Sequence, residues 1–181
     1  GMLGNLSENL YARADPRFRD PGRQWVGITG RLRVLVFNTD TVPEEGLPKS
    51  LEELGDPKWK GRIGWAPGNA SFQAHVSLLR HNWGEDRTRL WLAAVKANDP
   101  KLFPKNSPQV QAAHNGEISI GWVNHYYLHK LKSDGYKAAN YSFPSDEGGN
   151  VLMVAGAAIR KGVSGKNLES AEKLLAYLLS E

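Results

Sequence analysis

Apolar positions recur at helical spacing in several stretches of the chain. Phe72, Val76 and Leu79 follow the turn Pro67-Gly68-Asn69 and predict a helix. A second helix is predicted from about Glu85 to Ala97, burying Leu90, Ala94 and Val95. Leu168, Ala171, Leu174, Leu175 and Leu178 mark a final amphipathic helix. Between these lie short runs rich in β-branched and aromatic residues. Trp25 to Ile28 and Leu32 to Phe37 read as strands punctuated by Gly30, and Arg62 to Ala66, Ile118 to Val123 and Tyr141 to Phe143 read as further strands. Val151 to Ile159 is small and apolar, the pattern of a strand buried on both faces.

Local signals bound the elements. Leu6 to Ala14 predicts a short first helix, followed by a loop broken by Pro16, Pro21 and Gly22. Ser50 and Glu53 stand at capping-box spacing and predict a short helix that Gly55-Asp56-Pro57 ends. Ser107-Pro108 predicts an N-cap with proline at the first helical position, and that helix stops near Asn115-Gly116. A further helix runs through Leu128 and Leu131 to Ser133, and Asp146 to Asn150 reads as a loop. Strands alternating with helices predict an α/β layered fold with a mostly parallel sheet flanked by helices. In such folds ligands sit where strands end and helices begin. Two of these junctions are rich in chemistry: Ala66 to Phe72 and Val123 to Tyr127.

Composition removes several classes of function. The 181 residues contain no Cys, which excludes thiol nucleophiles, iron–sulfur clusters, cysteine zinc sites and disulfides. No run approaches the length of a membrane span, and the opening residues show no basic segment followed by an apolar one. The formal charge is +4, spread without a Lys/Arg block. That distribution supports a small anionic ligand better than nucleic acid.

The junction Asn124-His125-Tyr126-Tyr127 offers two phenols. A phenolate is a hard anionic ligand suited to ferric iron. Neighbours on a helix point about 100° apart, so two adjacent tyrosines share one ion only at an irregular turn or a first helical turn. From the pattern alone, aromatic packing is the commoner reason for such a pair. The junction Pro67 to Phe72 offers Asn69, Ser71 and small residues whose backbone N–H groups can approach an oxyanion, or simply a capped helix start. His125 and His129 have the i, i+4 spacing of zinc ligands but lack HExxH and an evident third ligand. His75, His81 and His114 read as structural. No local signature supports a Ser-His-Asp or paired-carboxylate site, although a hydrolase built on Ser71 or a histidine stays open as a rival.

Several segments together resemble the ferric-iron-binding proteins of bacterial ABC importers. They are Trp25 to Asp40, which looks like the family's hinge-region strand, Asp56 to Pro67 (DPKWKGRIGWAP), Lys105-Asn106-Ser107, Asn124 to Tyr127, and Gly148-Gly149 leading into Val154-Ala155-Gly156. The resemblance runs from Trp25 to Leu179. It implies a periplasmic-binding-protein-like α/β lobe and a binding function without catalysis: capture of Fe(3+) with a synergistic anion, phosphate or carbonate, for delivery to a membrane permease of an ABC transporter. Tyr126 and Tyr127 match the family's paired tyrosine ligands. Asn69, Ala70, Ser71, Asn106 and Asn124 fall where members hold the anion. Some members supply a further tyrosine where this chain has Phe72, which cannot ligate. The family's localisation is periplasmic or at the extracellular surface.

Against the two-lobed family the chain reads as partial. Residues 1–31 correspond to a remnant of the first lobe and the hinge, 32–150 to the second-lobe α/β domain, and 151–181 to a return strand and C-terminal helix. The resemblance thus implies that an exposed inter-lobe surface could favour a homo-dimer. A lobe for an organic or phosphorylated anion, and a remnant that binds nothing, are the alternatives.

Overall fold

The computed structural model describes residues 1–144 and 148–180. The chain divides into two compact units, Gly1–Arg31 with Met153–Glu181, and Leu32–Leu152. The larger unit carries both chemically rich junctions. Its elements are the second half of strand β1 (Val26–Asn38), β2 (Ile63–Trp65), helices α2 (Ala70–Trp83) and α3 (Glu85–Ala97), β3 (Lys101–Leu102), α4 (Asn106–His114), β4 (Ile120–Asn124), α5 (Tyr126–Leu131) and β5 (Ala138–Tyr141). The smaller unit holds α1 (Glu8–Arg13), the start of β1, most of β6 (Val151–Ala157) and α6 (Gly165–Leu178).

The sheet of the larger unit has the order β3-β2-β4-β1-β5. It is mixed, where the alternation of strands and helices predicts a mostly parallel one. β2 pairs in parallel with β3 and β4, while β1 runs antiparallel to both β4 and β5. The α/β class stands; the antiparallel half arises because β1 enters as a long strand from outside the βαβ series. Gly30 does not interrupt it: β1 is continuous over 13 residues.

Strand β4 is buried at all five positions, as expected of a central strand covered on both faces. On one side Leu35, Phe37, Ile63, Ile120 and Trp122 meet Phe72, Leu79, Trp91 and Val95 of α2 and α3. On the other, Val34, Val36 and Val123 meet Val110 and Ala113 of α4 and Leu128 of α5. The smaller unit has its own core of Leu6, Leu10, Ala14, Val26 and Leu175, and within it β6 pairs β1.

Helix α2 starts where Asn69 Oδ1 accepts the Ser71 N–H at 2.9 Å and stops at Gly84, whose φ of +84° suits glycine. Helix α3 follows at once, with Glu85 and Asp86 at its positive N-terminal end. Its bounds match the sequence expectation, but its phase does not. Thr88, Trp91 and Val95 face the core, while Leu90 is 67% exposed. The Trp91 ring fills the space and its Nε1 donates to the Leu51 carbonyl at 2.8 Å, so the larger side chain takes the inward stripe.

Other boundaries shift. The segment after Ser50 is a 3-10 turn, Glu52–Gly55, and Glu53 accepts the Lys49 N–H instead of closing a capping box on Ser50. Helix α4 begins at Asn106, so Ser107 and Pro108 lie within its first turn and Lys105 is the cap. The strand expected at Tyr141–Phe143 lies earlier, over Ala138–Tyr141. Strand β6 is largely half-exposed, not buried on both faces. Of the α6 leucines only Leu175 is buried, and Leu174 and Leu178 are exposed. Residues 145–147, which include the first two residues of the predicted loop 146–150, lie outside the described residues. No described helix is long and apolar enough to cross a membrane.

Candidate functional site

The two junctions meet around one side chain that motif reading passes over. Arg33 lies on β1 and is fully buried. Burial is the largest influence on it and pulls its pKa from 12.5 to about 9, opposed by Tyr127 and then Tyr126, whose phenols favour the cation. Its Nη1 donates to Asn124 Oδ1 at 3.2 Å and, more weakly, to Asn106 Oδ1 at 3.4 Å. Its Nη2 donates to the Trp122 carbonyl at 2.8 Å, and the guanidinium sits 5.2 Å above the Trp122 ring.

This arrangement draws Asn106, Asn124 and Ser71 together. Asn124 Nδ2 donates to Ser71 Oγ at 3.3 Å, which ties the end of β4 to the start of α2. Asn106, buried at the start of α4, turns its oxygen to Arg33, and its Nδ2 has no protein partner. Arg33 Nε is likewise without one. A buried donor left unpaired costs about 1–3 kcal/mol, and two such donors, Arg33 Nε and Asn106 Nδ2, lie within this one cluster. Asn69 stands apart, because its side-chain oxygen is spent on the α2 cap. Ala70 contributes only backbone, as the first residue of α2.

Tyr126 and Tyr127 open α5 directly after β4. Their rings stack at 4.4 Å between centroids with planes 30° apart, so adjacent residues point side by side. Lys130, one turn on, places its Nζ 5.3 Å from the centre of the Tyr126 ring. Two basic side chains, Arg33 and Lys130, thus lie near the pair.

The remaining candidates resolve into structure. Phe72 is buried edge-on between Trp65 and Trp122 at 5.7 and 5.0 Å, a core position. His75 is fully buried against Trp122, and its Nε2 meets the Gly148 carbonyl. Burial lowers its pKa from 6.5 to about 4, with the Gly148 bond opposing and the Arg33 charge assisting. Ser71 Oγ accepts from Asn124, so the Ser71 hydroxyl and the His75 ring serve different partners. His125 and His129 lie 6.2 Å apart by ring centroids, and among the described residues no three His, Asp or Glu side chains gather as a metal site. The signal for Arg33 was present in the sequence: it is the lone charge within the apolar run Leu32 to Phe37.

A donor-lined lobe of this kind, with helix starts and a tyrosine pair at strand ends, defines a solute-binding module. The profile of the bacterial extracellular solute-binding protein family matches residues 2–181, and the chain belongs to that family. It is 34% identical over 188 residues to the major ferric iron-binding protein of Neisseria meningitidis serogroup A, covering 98% of this chain and 56% of that one. It is 32% identical to the Fe(3+)-binding periplasmic protein of Serratia marcescens, with 98% and 53% covered. Iron-bound HitA from Pseudomonas aeruginosa superposes with a TM-score of 0.90 at 32% identity, over all of this chain and 59% of that one. The chain therefore spans about half the length of these relatives.

Proposed function

We propose that this chain is the anion- and tyrosine-bearing half of a ferric-iron-binding component of an ABC importer. The observation that carries the reading is buried Arg33, joining Asn106 and Asn124 beside a stacked tyrosine pair. Ferric iron is the cargo. Tyr126 and Tyr127 would each lose the phenolic proton and give an oxygen to the metal; metal binding at ordinary pH must displace those protons. Arg33 and Lys130 lower the cost of doing so.

Beside the tyrosines, the free N–H groups of Asn106, the Ser71 hydroxyl and the opening amides of α2 would hold a small oxyanion such as phosphate or carbonate. Both helices begin here, so their N-terminal partial charges add to the Arg33 field. The anion would complete coordination positions that two phenolates leave open, and delivery to a membrane permease in the periplasm follows for the whole protein.

The test is a ferric titration of the purified chain with phosphate or carbonate present. Two phenolates on Fe(3+) give a visible charge-transfer band, and Tyr126→Phe or Tyr127→Phe should remove or strongly weaken it. A colourless wild type, or a band indifferent to both substitutions, defeats the reading. The unpaired donors on Arg33 and Asn106 favour one rival, a lobe for an anion alone. Under it, phosphate raises the melting temperature equally with and without ferric ion.

A further inference from the structure

We propose that His125 is the positioning residue for the tyrosine pair: its ring nitrogen takes the place of its own carbonyl in the β1–β4 ladder, and so lets the chain turn into α5 one residue before Tyr126. The inference deepens the reading of Tyr126 and Tyr127 as ligands and rests on it for its functional consequence.

The register of the antiparallel ladder pairs Arg33 with Asn124, so the next opposed pair is Leu32 and His125. In an antiparallel ladder, alternate pairs exchange two N–H···O=C bonds. Half of that exchange is made: the His125 N–H donates to the Leu32 carbonyl at 2.9 Å. The other half is replaced. The Leu32 N–H donates to His125 Nδ1 at 3.0 Å. The His125 backbone has already adopted helical angles, φ −51° and ψ −38°. Its carbonyl has left the ladder and accepts from Asn140 Nδ2 of β5 at 2.8 Å.

Without the ring, the chain would face a choice. Keeping the ladder bond would hold residue 125 extended, and neighbours on an extended strand point to opposite faces. Breaking it would leave a half-buried amide without an acceptor, which is unfavourable. A side-chain acceptor on Cγ removes the conflict. The ladder keeps its last bond while the backbone turns, and Tyr126 and Tyr127 leave the turn with their rings stacked at 4.4 Å. The chemistry required is narrow: an acceptor at the position of Nδ1, which Asn Oδ1 also provides and Leu, of comparable branching, does not.

The experiment compares wild type, His125→Leu and His125→Asn. In metal-free protein, the Leu32 amide exchange rate and the ring-to-ring cross-relaxation of Tyr126 and Tyr127 are measured by NMR; a ferric titration follows. His125→Leu should speed Leu32 exchange about tenfold, weaken the ring cross-peak, and cut ferric affinity about tenfold with a displaced charge-transfer band. His125→Asn should restore all three to within about threefold of wild type. Wild-type exchange and cross-peak in His125→Leu would overturn the proposal, as would failure of His125→Asn to rescue. If His125→Leu does not fold, His125→Asn decides alone: wild-type Leu32 protection supports the role and its loss refutes it. A wild type that gives no ferric band defeats the ligand reading, while the metal-free measurements still decide the role of His125.

Discussion

Replacing Arg33 by Met separates the cost of this residue to the fold from its use at the site. Its pKa of about 9, down from 12.5, corresponds to about 5 kcal/mol of penalty on the buried cation. Against that stand three hydrogen bonds, two of them long at 3.2 and 3.4 Å. At about 1.5 kcal/mol each, the lower end for a charged donor, they return about 4–5 kcal/mol. The two sums nearly cancel, so the cation itself adds little net stability, and the loss in Arg33→Met comes from the Asn106, Asn124 and Trp122 oxygens left without their donor. Arg33→Met should therefore melt no more than about 10 °C below wild type. Binding should respond differently. A monoanion about 5 Å from the guanidinium, at an effective dielectric near 20, gains about 3 kcal/mol, roughly a hundredfold in affinity. The assay is calorimetric titration of phosphate, with and without ferric ion, beside a thermal melt; Arg33→Lys, which keeps charge but loses the fork, should fall between. A melt lowered by more than about 10 °C with phosphate affinity unchanged would show that Arg33 is a pillar of the fold and refute the reasoning.

Further outcomes follow from other positions. His75 is held neutral, with a folded pKa of about 4 against 6.5 in the unfolded chain, so between those values the unfolded state binds more protons. Its contribution is present above pH 6.5 and is lost as pH falls toward 4, by up to about 3 kcal/mol; urea unfolding at pH 7 and pH 4.5 should show the loss, and His75→Gln should flatten it. Phe72→Tyr adds a phenol but buries its hydroxyl between Trp65 and Trp122. It should cost about 1–3 kcal/mol in chemical denaturation and leave the ferric band unchanged. Gly148 has φ +86°, and a Cβ there would lie 2.6 Å from Leu79 Cδ2. Gly148→Ala should destabilise by about 2 kcal/mol or more by the same measurement.

What could be read from the chain alone was whatever is local. Helix α3 was legible to its ends because Gly84, the acidic pair Glu85-Asp86 and Asn98 bracket it. The α2 start was legible because Asn69 is a strong cap. The tyrosine pair and the asparagines lie in short contiguous motifs, which resemblance could align. What lies far apart in sequence was hidden. Arg33 stands out in the sequence only as the lone charge of an apolar run, and its partners at residues 106, 122 and 124 are too far along the chain to be read from it. Leu90 and Trp91 both suit the inward stripe of α3, and only the space beside Leu51 chooses between them. The continuity of β1 through Gly30 was invisible because pairing with neighbouring strands, not local propensity, sustains it.

The aromatic layer beneath Arg33 also has an optical consequence. Trp65, Phe72, Trp122, Trp91 and Trp83 form an unbroken series of edge-on ring contacts, 5.0 to 6.0 Å apart. Excitation absorbed by any indole in that series can migrate to the others before emission. One of them, Trp122, lies directly under the guanidinium that gathers the donor cluster. A coloured or heavy ion arriving beside that cluster should dim the collective emission of four tryptophans, giving the protein an intrinsic signal of occupancy without any attached dye.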